Sequence, residues 1–213
     1  MSADARLSDE LRDELVQMPV FESELVYPGR IWNVRHDVID YPRGVIERDY
    51  VEHPGAVSVL PINERDEILL IKQYRHPSRR RDWEIVAGLL DIEAEHPLDA
   101  AKRELAEEAD LQAERWHTLV DIIAAPGGSS EAIRAFLARD VSPMPERFAR
   151  SEEEADVITR WVSLDEAVDA ILDRRIQNGP MCAAVLAADA SRRRGWASLG
   201  DPHAPWDGHP LWR

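Results

Sequence analysis

The chain has 213 residues, 44% hydrophobic and 31% charged, which suits one good-sized domain with a packed core and excludes wholesale disorder. Its formal net charge of −15 excludes a general nucleic-acid binder, because phosphate backbones demand a positive footprint. An acidic chain can still take an anionic nucleotide if a local cation, arginine or metal, neutralises it.

Residues 1–18 read as a polar tail with one short helix expected at 9–17. They lack the apolar core of a signal peptide, and no stretch approaches the roughly 18 apolar residues of a membrane span. The single cysteine, Cys182, can form neither an internal disulfide nor a zinc cluster, and reads as a small buried hydrophobe on a helix. A cytoplasmic protein with no membrane or nucleic-acid partner is expected.

From Phe21 the texture changes. Residues 23–27, 31–41 and 45–52 read as strands, separated by Pro28-Gly29 and Pro42-Arg43-Gly44. Three successive strands predict a small antiparallel sheet over 19–55. Alone it is marginal, so it must pack on the main domain or on a second subunit. Pro54-Gly55 opens the main domain, 56–190. Strands are expected at 56–62 and 68–74, about a turn at 63–66. A basic loop follows at 76–81, then a short strand at 83–86. Leu98, Ala101, Leu105 and Ala109 share one face of a helix over 98–109. Strands at 116–123 and 131–138 come next, then a Pro-containing loop from 140, a strand at 157–162, and helices at 164–172 and 181–190. Ser163 is suited to cap the first of these helices, and Pro180 to the first turn of the second. Residues 191–213 form an irregular tail. Its Trp196, Trp206 and Trp212 are costly to leave wet, so it is expected to fold back onto the body or a partner.

The chemistry concentrates in Arg103-Glu104-Leu105-Ala106-Glu107-Glu108. On a helix, Glu104, Glu107 and Glu108 stand at i, i+3 and i+4, so three carboxylates crowd one face. Such like-charge pairs cost an isolated helix a few tenths of a kcal/mol each, roughly. Either water solvates that face or a cation neutralises it. Hard divalent ions such as Mg²⁺ or Mn²⁺ take carboxylate oxygens, keep waters and bridge to phosphates. Arg103 is placed to orient one of the carboxylates.

The segment 87–111 resembles a Nudix box. That pattern is Gly, five variable residues, Glu, seven variable residues, Arg-Glu, an apolar residue, a variable one, Glu-Glu, a variable one, Gly and an apolar residue. Gly88, Glu95, Arg103, Glu104, Leu105, Glu107, Glu108 and Leu111 carry the likeness. There are two departures. Gly88 precedes Glu95 by one residue too many, which lengthens the loop. Asp110 takes the second glycine position, where a positive φ is expected; Asp tolerates it better than most residues. The likeness extends from about residue 24 to about 190. Val51-Glu52-His53-Pro54-Gly55-Ala56-Val57, Gln73-Tyr74-Arg75-His76-Pro77, Trp83-Glu84, the stretch 125–131 and Glu152-Glu153-Glu154 resemble the ADP-ribose pyrophosphatase branch.

The resemblance implies an α+β fold: a Nudix α/β/α sandwich with a mixed sheet, plus the N-terminal antiparallel sheet, exchanged between the subunits of a homodimer. It implies Mg²⁺-dependent hydrolysis of the ADP-ribose pyrophosphate to AMP and ribose 5-phosphate. Another nucleoside diphosphate sugar or a dinucleotide is the nearest alternative substrate; a non-catalytic ADP-ribose-binding regulator is the alternative class. By the same resemblance, the Ala87 carbonyl, Glu104 and Glu108 are metal ligands and Glu107 a support or further ligand. The base is Glu154, or next Glu153, on the loop that follows residue 140. Arg75 would hold a phosphate, and Glu131 would contact the terminal ribose side. Trp32 and Arg48 are candidates to sandwich the adenine across the dimer interface. Arg79, Arg80 and Arg81 read as a solvated loop, and His53 as structural.

Overall fold

The computed structural model describes residues 11–146, 148 and 157–209. The first three strands, β1 (Val20–Tyr27), β2 (Asn33–Tyr41) and β3 (Gly44–Glu52), form an antiparallel meander. Gly44 closes the β2–β3 hairpin at φ +130°, a conformation glycine adopts without strain. No residue of this sheet is fully buried. Val20, Phe21, Leu25, Val26 and Tyr27 of β1 all lie exposed.

The body follows. Its elements are β4 (Ala56–Pro61), β5 (Glu67–Arg75), β6 (Arg80–Glu84), β7 (Val86–Leu89), α1 (Pro97–Ala109), β8 (Leu111–Ile123), β9 (Ala132–Pro143), β10 (Ile158–Ser163), α2 (Leu164–Leu172) and α3 (Gly179–Arg192). Two sheets form, ordered β7-β4-β9-β8 and β10-β5-β6. The first is mixed, because β4 runs parallel to β9 and antiparallel to β7. Every residue of β4 is buried, and its period-two alternation divides it between two cores. Leu60 joins a cluster with Leu164, Met181 and Val185 of α2 and α3. Val57 and Val59 join another with Leu98 and Leu105 of α1. β9 splits likewise, with Leu137 on one side and Phe136 on the other. The result is helix, sheet and helix in layers. Each such buried side chain contributes about 1.5–3 kcal/mol relative to exposure.

Several local expectations hold. Asp110 caps α1 at φ 53°, Ser163 accepts the Glu166 N–H as N-cap of α2, and Pro180 lies in the first turn of α3. Others are corrected. The helix expected at 9–17 is absent over its described part, 11–17; Leu11, Leu15 and Val16 find no surface there, and so short a helix does not hold alone. β8 begins at Leu111 rather than 116, and β9 runs to Pro143, so the loop opens after 143 rather than at 140. Cross-strand pairing from Leu111↔Pro143 onward, braced by an Arg115–Asp140 ion pair, extends this polar ribbon beyond its apolar residues. Arg80 and Arg81 belong to β6, not to a loop. Cys182 is half-buried, and burial pushes its thiol pKa up.

The tail does fold back. Gly200 exchanges backbone hydrogen bonds with Thr118, and the Arg139 guanidinium sits 4.6 Å from the Trp196 ring centroid. Trp206 is buried within the α1-side core. Arg134, itself buried, lies 4.9 Å from the Trp206 centroid and donates to the carbonyls of Ala204 and Pro205. Trp212 falls outside the described residues. Among the described residues, no helix is long and apolar enough to cross a membrane.

Candidate active site

α1 lies against β7, and that contact sets the site. His96 caps the helix start by accepting the Leu98 N–H, and Leu98, Ala101 and Leu105 bury the apolar stripe. The acidic face then turns toward the backbone of β7. Glu108, buried, accepts the Ala87 N–H at 3.1 Å. Glu104 packs directly on Gly88, where any β-carbon would collide with its carboxylate. Arg103 is the hub. It forms a bidentate pair with Glu95 at 2.9 and 2.8 Å, and its third nitrogen reaches Glu104 at 2.5 Å and Glu107 at 3.3 Å. The Glu95 bonds, with Glu104 adding charge, hold its guanidinium still more firmly protonated than usual.

These groups fit a divalent cation by chemistry. The donors are carboxylates and backbone carbonyls, the hard oxygen ligands that Mg²⁺ or Mn²⁺ prefers. Gly88 leaves the space into which Glu104 settles. Among the described residues no group of three or more His, Cys, Asp and Glu side chains is already drawn in around one point. Arg103 engages Glu104 and Glu107, while Glu108 rests on Ala87, so three repelling carboxylates stay spread.

Beside this face opens a cavity of about 490 Å³. Trp32, Arg75, Ala87 and Glu131 all line it, so four residues singled out from the sequence meet there. Arg75 pairs with the buried Glu84 at 2.7–3.2 Å, and Gln73 donates to the same carboxylate. Arg48 is not brought to the cavity. It is exposed on β3, and its guanidinium donates to the Glu47 carbonyl. Glu152, Glu153 and Glu154 fall outside the described residues.

Two cavity residues carry more than the sequence suggested. Glu84 orients Arg75 from a buried position; a carboxylate directly ahead of the apolar Ile85-Val86 pair was the available signal. His53 is also buried against the cavity. Its Nδ1 accepts the Gly55 N–H at 3.0 Å, its ring stacks on Trp32 with centroids 5.3 Å apart, and its Nε2 lies 3.7 Å from Glu131. Burial, opposed by the Glu131 charge, lowers its pKa, so the imidazole is neutral near pH 7.

The NUDIX domain profile matches residues 52–184. The chain is 40% identical over 169 residues to the ADP-ribose pyrophosphatase of Mycobacterium tuberculosis (strain ATCC 25618 / H37Rv), covering 79% of this chain and 81% of that one. It is 30% identical over 163 residues to the ADP-ribose pyrophosphatase of Bacillus subtilis (strain 168), covering 76% and 87%. It is 32% identical over 174 residues to the methanol dehydrogenase activator of Bacillus methanolicus, covering 81% and 92%. Among solved structures, an ADP compounds hydrolase superposes with a TM-score of 0.69 at 22% identity, over 86% of this chain and 99% of that one, a likeness of fold.

Proposed function

Because this chain belongs to the NUDIX family, we propose that it hydrolyses the pyrophosphate bond of ADP-ribose, releasing AMP and ribose 5-phosphate. The observation that carries this reading is the seating of Glu104 and Glu108 on the Gly88 and Ala87 backbone, beside a cavity lined by Arg75 and Glu131. The ADP-ribose pyrophosphatases among its relatives support the choice of substrate.

Nudix hydrolases use a divalent metal; Mg²⁺, with Mn²⁺ as substitute, is the ion we assign. Glu104, Glu108 and the Ala87 carbonyl would hold it, with Glu107 alongside, and when bound it would supply charge neutralisation for the diphosphate and Lewis acidity toward water. The chain's own groups supply the rest. Arg75, oriented by Glu84, offers a planar guanidinium to a phosphate oxygen. Glu95 fixes Arg103, which donates to Glu104 and Glu107 and so aims their carboxylates. Glu154, or failing that Glu153, takes the proton of the attacking water. The water oxygen bonds to phosphorus, the bridging P–O bond breaks, and the departing phosphate takes up a proton. Glu131 contacts the terminal ribose side.

The exposed apolar strand β1 supports a homodimer built through the N-terminal sheet. In such a dimer the outer face of Trp32 and an Arg48 of β3 hold the adenine between them; His53 already covers the inner face. A cytoplasmic setting completes the reading, supported by a lone cysteine that needs no oxidising compartment.

A hydrolysis assay over a panel of nucleoside diphosphate sugars and dinucleotides, with product identification, tests the proposal. AMP and ribose 5-phosphate should appear from ADP-ribose and vanish on chelation. Tight ADP-ribose binding without turnover of any panel member would make the chain a regulator instead.

A further inference from the structure

His53 is held more tightly than a packing residue needs to be. Its backbone N–H donates to the Ser130 hydroxyl at 2.9 Å. Its ring is fixed from one side by the Trp32 stack and at Nδ1 by the Gly55 N–H. That last contact settles the tautomer. A backbone N–H can only donate, so Nδ1 carries no proton and, in the neutral ring, Nε2 does. The Nε2–H therefore points along the cavity wall at Glu131, whose carboxylate can only accept. Yet the two are 3.7 Å apart, beyond the roughly 2.7–3.2 Å of a direct hydrogen bond. A donor and an acceptor, both lining the cavity and separated by slightly too much, suit a third group that can accept from one and donate to the other. A hydroxyl does both.

Resting on the proposed ADP-ribose reading, we propose that His53 is a specificity-determining residue: its Nε2–H and the Glu131 carboxylate bind one sugar hydroxyl of the substrate between them. The imidazole donates to the hydroxyl oxygen and the carboxylate accepts its proton. A substrate with hydrogen in place of that hydroxyl leaves both groups desolvated and unpaired, which is why such a pair discriminates. ADP-ribose offers the hydroxyl from either of its two riboses. Glu131's place in the reading above makes the terminal one the expected source.

The test compares kcat/KM of the wild-type protein for ADP-ribose, for an analogue lacking the adenosine 2′- and 3′-hydroxyls, and for an adenosine diphosphate ester whose terminal group is a hydroxyl-free alkyl chain. A loss of about tenfold to a hundredfold is expected for the alkyl ester. The same loss in the nucleoside analogue alone would keep the pair and move the hydroxyl to the other ribose. His53→Phe keeps a ring against Trp32 but removes the donor, and should flatten the ratio between substrates. His53→Gln, whose amide nitrogen reaches the Nε2 position, should restore part of it. Equal use of all three substrates by the wild-type protein, or an unchanged ratio in a folded His53→Phe, overturns the proposal. If ADP-ribose is bound but not cleaved, the hydrolase reading fails while the same ratios, taken from Kd by calorimetry, still decide on His53.

Discussion

That Glu104, Glu107 and Glu108 share one side of a helix of 3.6 residues per turn was legible from spacing, while their assignment as metal ligands came from the resemblance to the Nudix box. Arg103 was legible beside them, and its bidentate grip on Glu95 accounts for that residue's position eight before it. Glu84 and His53 were not legible as site residues. Glu84 left one local trace, a carboxylate directly ahead of Ile85-Val86, but its grip on Arg75 depends on β5 and β6 pairing, and the place of His53 on Trp32 folding over the strand end. At this scale the expected losses are in rate. Glu154→Gln should lower kcat by about 10²–10⁴-fold while sparing the fold, since it removes only a proton acceptor. An unchanged kcat, measured at saturating ADP-ribose, would take Glu154 out of the mechanism. Gly88→Ala should weaken divalent-metal binding, read by titration calorimetry, because the new methyl displaces the Glu104 carboxylate.

Elements were legible where one face is apolar and less so where pairing alone extends them. α1, α2 and α3 fell close to their expected spans. β8 and β9 ran longer, because Gln112, Ala113 and Arg115 pair across the ribbon with Ser142, Val141 and Arg139. The N-terminal sheet was legible as three strands with two turns, and its β1 lies exposed along its whole length. At the end of α1, Asp110 does more than replace a glycine. Its backbone takes the left-handed turn, its carbonyl accepts the Met144 N–H at 2.8 Å, and its carboxylate accepts the Phe148 N–H at 3.0 Å. It ties the helix terminus to the segment just after β9. Asp110→Ala should therefore cost about 1–2 kcal/mol, from a β-carbon held at positive φ without its polar compensation. Asp110→Gly should cost less, because it relieves the backbone while losing only the tether. Thermal melts of the pair separate the two contributions.

For the whole molecule, the histidines set the acid limit. His53, His96, His117 and His209 all have lowered pKa values, in each case with burial as the leading cause. The unfolded chain therefore takes up protons that the folded chain refuses as pH drops below about 6.5. Stability should be fully present above that value and fall as pH declines toward the folded-state values. His36 opposes this, since its hydrogen bond to Asp49 raises its pKa. Further down, Glu67, bonded to Asn63, and Asp140, bonded to Arg115, have lowered pKa values, so protonating them removes more. Denaturant midpoints should hold level from pH 8 to about 6.5 and decrease from there to pH 5; a rise below pH 6.5 would contradict the burial of these rings. Trp206→Ala should cost about 3–5 kcal/mol, the range for emptying a large core site.

Trp206 and His209 also impose an order in time. His209, buried, donates from Nε2 to the Pro54 carbonyl at 3.0 Å and fills the space that a side chain on Gly55 would need. The peptide segment carrying His53 is thus braced from behind by residues more than 150 positions later. A ribosome delivers those residues after every strand and helix they brace. A nascent chain that has emerged only to the end of α3 holds an open slot where the indole belongs and an unsupported cavity wall. The cavity wall gains this support only after α3 has been made, when residues 206–209 reach back to Pro54 and Gly55.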